Sequence, residues 1–171
     1  NLLNRLDKYS NWQSMITGLT LLRETIKKTP TDSSLEEKEK TESWVVKMVQ
    51  ENAFSDELKT LTNGNSVSST SSIHNLQPYK DKHGLLRVGG RLQNSTFPER
   101  VKHPLIMPRD DHITRLITSH FHEKTHHQGR GQTMNEIRNN GYWIRLSRPW
   151  RHVHLQLLLL LRLLIIGRAH V

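Results

Sequence analysis

A pair of histidines in a chain without a single cysteine most constrains what these 171 residues can fold into. His122 and His127 stand in His122-Glu-Lys-Thr-His126-His127-Gln-Gly129, a spacing that brings both imidazoles within reach of one ion at the end of a helix. A structural zinc site takes four ligands and usually draws two or more of them from thiolates, which this chain lacks. The spacing therefore reads as half of a zinc site. The same histidines on a polar, histidine-rich loop would hold no metal, and spacing alone leaves both readings open.

Length allows one domain or two small ones. With 34% hydrophobic and 6% aromatic residues, the composition is lean for one well-packed core. The lack of cysteine excludes a disulfide scaffold and fits an intracellular setting. Asn1-Leu2-Leu3-Asn4-Arg5 has neither the apolar run nor the cleavage site of a signal peptide, and the absence of an initiator methionine suggests a fragment or a processed polyprotein piece. Charge is unevenly placed. Residues 1–72 carry nine Lys and Arg against ten Asp and Glu, whereas residues 73–171 carry 16 against six. A basic second half suits a polyanionic partner, and equally a solvated basic face.

The expected organisation is mainly helical with a few short β-strands. Ser10 and Gln13 have the form of a capping box for a helix to Lys28, with Trp12, Ile16, Leu19, Leu22 and Ile26 on its apolar face. A second helix is expected from Ser34, with Glu37 closing another box. It runs to about Gln50 through Leu35, Trp44, Val45, Met48 and Val49. Phe54, Leu58 and Leu61 suggest one further short helix. Residues 1–61 thus form a helical connector, and the small polar residues of 62–72, from which no core can be built, form a linker.

Residues 73–154 read as a β-then-helical module. Asp81-Lys-His-Gly84 is a turn and Leu85-Leu-Arg-Val88 a strand, and Gly89-Gly90 breaks or bulges it. His103 to Pro108 is extended between its prolines. Asp110 or Asp111 can cap a helix carrying Ile113, Leu116, Ile117 and Phe121, with His122 near its end. Gly129-Arg130-Gly131 is expected as a mobile turn and Gln132 to Arg138 as a short helix stopped by Asn140-Gly141. Tyr142 and Trp143 are assigned to core packing rather than to a stacking platform. Residues 155–171 stand apart. Leu155 to Ile166 is apolar all round, is interrupted by Gln156 and Arg162 and is too short to span a bilayer. It reads as an aberrant leucine-rich tail of a changed reading frame or a decayed gene.

Four segments then occur in one order: His83-Gly-Leu-Leu-Arg-Val-Gly-Gly-Arg-Leu92, Lys102-His-Pro-Leu-Ile-Met-Pro108, His122 to Gly129, and Asn140-Gly-Tyr-Trp-Ile144. Together they resemble the part of BEL/Pao-type retrotransposon polyproteins that carries the integrase zinc-binding module. Glu42-Ser-Trp-Val-Val-Lys-Met-Val-Gln50, with Phe54 and Glu57-Leu58 after it, resembles the connector between reverse transcriptase/RNase H and integrase. The resemblance covers roughly residues 5–153 and implies a zinc-finger-like module holding one zinc through a His-His-Cys-Cys set. The histidine pair carries over onto His122 and His127. The cysteine pair would follow His154, where Leu155, Gln156, Leu157, Leu158 and Leu159 stand instead. Zinc is therefore expected to bind weakly or not at all, with His152 and His154 as poor substitutes, and the region 110–154 to be loosely ordered around Leu116, Ile117, Ile137, Trp143 and Ile144.

What the resemblance implies for function is a non-catalytic role in DNA integration: integrase assembly or self-association, and contact with element DNA in the nucleus. Arg87, Arg91, Arg130 and Arg138 are the candidate phosphate contacts, with a solvated face as their other reading. No small-molecule substrate and no membrane partner are expected. Nor is an enzyme. Strand transfer needs a carboxylate cluster holding two metals, and Glu136 is the only acid after His127. An element-derived DNA-binding or adaptor protein, and a pseudogene product without function, are the alternatives.

Overall fold

In the computed structural model the described residues are 5–27, 35–90 and 96–145. They are mainly helical, with a small mixed sheet of four strands. In chain order come α1 (Trp12–Lys27), α2 (Leu35–Ala53), α3 (Ser55–Thr62), a single 3-10 turn (His74–Leu76), β1 (Tyr79–Lys80), β2 (Leu86–Arg87), α4 (Glu99–Lys102), β3 (Leu105–Met107), α5 (His112–Lys124), α6 (Arg130–Asn139) and β4 (Tyr142–Ile144). Arg91 and the tail beyond Arg145, with His152 and His154, lie outside the described residues.

Local chemistry sets the helix ends. The cap of α1 is Asn11, whose Oδ1 accepts the backbone N–H of Ser14 at 3.0 Å, and not the Ser10 box that the sequence suggested. Asp111 decides the open choice at α5: its carboxylate accepts from Ile113 and Thr114, two N–H groups that the first turn leaves without helical partners. Helix α6 starts two residues earlier than expected. Gly129, at a φ of 87° that suits glycine, directs the chain straight into it, so Arg130 and Gly131 are helical rather than a mobile turn.

The sheet runs β1-β2-β3-β4. Its first two pairings are antiparallel, and β3 lies parallel to β4 with Leu105 opposite Tyr142 and Met107 opposite Ile144. Parallel neighbours need a long crossover, and α5 and α6 supply it. The β1–β2 turn is organised by Asp81. One of its oxygens accepts the N–H groups of His83 and Leu85, and the other takes the Arg87 Nε at 2.6 Å. Gly89 is required by crowding, since a Cβ there would collide with the Gln77 carbonyl oxygen.

One hydrophobic core spans both halves of the chain. Trp12, Met15, Ile16, Val45, Val46 and Val49 from α1 and α2 are packed with Ile113, Ile117, Phe121, Ile137 and Ile144. Within these described residues, the second half therefore rests on the first. The fully buried Gln50 ties them further. Its amide donates to the carbonyls of Leu86 and Ile106 and accepts the N–H of Leu86, finishing hydrogen bonds between two strands from inside a helix.

Other expectations need correction. Leu22, Ile26 and Leu35 are exposed, because the α1 and α2 stripes turn away from the core at those ends. In the stretch expected to be a coreless linker, Val67 is buried with Phe54, Leu58, Ile73, Leu86 and Ile106 in a second apolar cluster.

Candidate functional site

Helix α6 separates the two sets of side chains that the sequence singled out. Its inner face meets the end of α5. His122 is 1% exposed, and its Nδ1 lies 3.2 Å from the hydroxyl of the fully buried Thr133. The His122 and His127 rings come together edge to face, with centroids 4.7 Å apart. His127 sits at the surface with a φ of 60°, a left-handed conformation that non-glycine residues adopt sparingly.

Among the described residues, no group of three or more His, Asp or Glu side chains comes close enough to hold a metal ion. Two imidazoles are half of a tetrahedral set, so the described donors do not fit a structural zinc site. His122 joins helices: its ring meets Thr133, whose hydroxyl also donates to the Gly129 carbonyl at 3.0 Å. Beside them Glu136 bridges from α6 to Lys124 of α5 at 2.8 Å, and the lysine holds its carboxyl below the usual range.

The outer face of α6 meets a different environment. Met134, Arg130 and Arg138 border an open cleft of about 560 Å³. Its apolar lining comes from Phe54, Ile73, Leu76, Ile106 and Ile144, and its rim adds Arg109 and Arg145 to the two α6 arginines. The parallel pairing of β3 and β4 brings the last two together, since each follows one of those strands. Arg138 stacks on Trp143, its guanidinium carbon 5.0 Å from the ring centroid. Trp143 is half-buried and lines the cleft, so it is not the core residue that the sequence suggested; Tyr142, beside it, is in the core.

The cleft is strongly cationic. Among the described residues no carboxylate lines it, and the four arginines are exposed. Arg109 has its neighbour Asp110 at 3.9 Å, while Arg130, Arg138 and Arg145 have no ion pair among the described residues. Arg87 behaves otherwise. It is bound to Asp81 and donates to the His103 carbonyl at 2.9 Å, so its guanidinium is committed inside the fold. The structure thus unites Arg130 and Arg138, removes Arg87 from their company and adds Arg109 and Arg145. The sequence signal for these two was only that each closes a short apolar segment, Leu105–Met107 or Tyr142–Ile144.

No family model matches the chain, and neither a curated protein nor a solved structure matches it. Among the described residues no helix is long and apolar enough to cross a membrane.

Proposed function

We propose that the chain is a non-catalytic segment of a retrotransposon polyprotein, similar to the zinc-binding region of a BEL/Pao-type integrase, and that its work is contact with DNA. In the intact parent this would serve integrase assembly, self-association and engagement of element ends in the nucleus. Two things support the reading: the ordered series of sequence segments, and the convergence of Arg109, Arg130, Arg138 and Arg145 on one cleft with no opposing carboxylate in its lining among the described residues. The second is the observation that carries it. Guanidinium groups make paired, charge-assisted hydrogen bonds to phosphate, and such contacts position a protein on a duplex without reading its sequence.

The zinc-finger-like character belongs to this proposal through the placing of His122 and His127 alone. Zinc binding by this chain is proposed to be weak, because the described residues bring no third His, Asp or Glu to the two imidazoles. Titration with a zinc indicator checks this, and tight one-to-one binding that depends on His122 contradicts it.

DNA contact is tested by a gel-shift series on duplex DNA at two salt concentrations, with Arg130→Ala and Arg138→Ala. Binding is expected to be independent of sequence and to weaken steeply with salt, as counterions are released. The rival reading, an element-derived DNA-binding or adaptor protein, draws on the core shared by both halves of the chain, which suits a protein acting by itself. Strong, sequence-selective binding that survives high salt favours it. No binding at either salt concentration overturns both.

A further inference from the structure

The cleft beside α6 is built for something narrower than a duplex. An apolar floor in a pocket of about 560 Å³ contributes nothing to holding a phosphate backbone, which needs only an exposed cationic ridge. Concave sites of this size, largely apolar with a few converging polar groups, are the usual form of a site that encloses a small group. Here the charged groups are all guanidiniums, with Ser72 and Asn75 as the neutral polar ones, so the group enclosed is anionic at its edge and apolar in its body. Trp143, stacked with Arg138, adds an aromatic surface at the wall. Aromatic side chains beside cationic grooves are how proteins hold unpaired bases, whose π-faces stack whatever their identity.

We infer that the cleft takes one unpaired nucleotide of a DNA strand, its base against the apolar lining beside Trp143 and its flanking phosphates on the rim arginines. This rests on the DNA-contact reading above and narrows it: the preferred partner is a duplex with a single-stranded end, not its flank. An acidic peptide with apolar side chains shares part of this chemistry. It lacks a rigid planar body for the aromatic wall, and the nucleotide is therefore the better fit.

The test compares the full chain's affinity for a blunt DNA duplex with that for the same duplex carrying a short single-stranded overhang, by fluorescence anisotropy at one fixed salt concentration. A stacked base contributes on the order of 1–3 kcal/mol, so the overhang should bind about 5- to 150-fold more tightly. Asn75→Leu places non-aromatic bulk at the exposed edge of the cleft and leaves every arginine in place. It should abolish the preference for the overhang while leaving blunt-duplex affinity unchanged, with an unaltered thermal midpoint showing that the fold is intact. Should Asn75→Leu unfold the chain, Ser72→Leu, at the same lining, serves instead. Equal affinity for blunt and overhung DNA in the unaltered chain overturns this inference and leaves the DNA-contact reading standing. Failure to bind either DNA overturns both. Competition by an acidic apolar peptide, without overhang preference, replaces the nucleotide with a protein partner.

Discussion

The two faces of α6 do opposite things with polar side chains. On the inner face, Thr133 and His122 are sealed from solvent and joined to each other, with Ile137 completely buried between the helices. On the outer face, Arg130 and Arg138 are exposed and, among the described residues, unopposed beside an apolar cleft. Buried polar groups have to find partners within the protein, and those on the inner face have been used up in building the fold. Exposed cations that converge without a counter-charge hold their interaction energy in reserve for something else. The histidine pair, the most visible feature of the sequence, therefore lies on the structural face, and the face with binding chemistry is the one the sequence marks faintly.

The difference can be broken first at the inner face. Ile137→Ala removes buried apolar volume from the core that unites both halves, and a loss of ~2–5 kcal/mol in unfolding free energy is expected from denaturant titration. His122→Ala should cost less, ~1–3 kcal/mol, because it removes a buried imidazole together with its hydrogen bond to the Thr133 hydroxyl. Neither should alter DNA affinity under conditions where the variant stays folded. A His122 variant as stable as the unaltered chain but unable to bind DNA would reverse the roles of the two faces.

Two arginines sharpen the same contrast. Arg87→Ala breaks a largely buried pair with Asp81 and should lower stability by ~1–3 kcal/mol with little change in DNA binding. Arg138→Ala should do the reverse. It is expected to reduce the slope of log affinity against log salt by about one while leaving the melting temperature near its starting value.

The smallest effect concerns pH. Burial pushes the Asp81 carboxyl up, but the Arg87 guanidinium and the N–H groups of Leu85 and His83 together hold it below its ordinary 3.8. A carboxyl whose folded pKa is depressed stabilises the fold above its unfolded pKa, and that contribution is lost as pH falls through the folded value. Stability should therefore decline below about 3.8. Asp81→Asn should be less stable than the unaltered chain at neutral pH and should approach it in acid. A constant gap between the two across that range would remove Asp81 from the account.

Much of the helical frame was legible in the sequence. Val45 and Val49 on α2, and Ile113, Leu116 and Ile117 on α5, show the spacing of a buried helix face, and Asp111 is a cap by residue type alone. Leu22, Ile26 and Leu35 misled because periodicity says which residues share a face, not how far the partner element extends along it. Gln50 and Val67 were missed for a related reason: each is buried by residues distant in sequence, the first by two strands and the second by a cluster around Phe54. The cleft was the least legible. Arg109 and Arg145 meet Arg130 and Arg138 only because β3 and β4 pair in parallel across an intervening pair of helices. The two α6 arginines are plain in the sequence, but nothing there sets Arg87 apart from them; only the fold pairs it with Asp81.

The claim that the arginine face carries binding while the histidine face carries the fold is tested most directly by one paired measurement. The melting temperature and the DNA affinity of the full chain are followed together, with a strong zinc chelator present or absent, for the unaltered chain and for the Arg130→Ala, Arg138→Ala double variant. The account predicts that the chelator changes neither quantity. It predicts that the double variant melts as before but binds DNA weakly, with a salt slope reduced by about two. Loss of both fold and binding on chelation, with normal binding by the double variant, would contradict it.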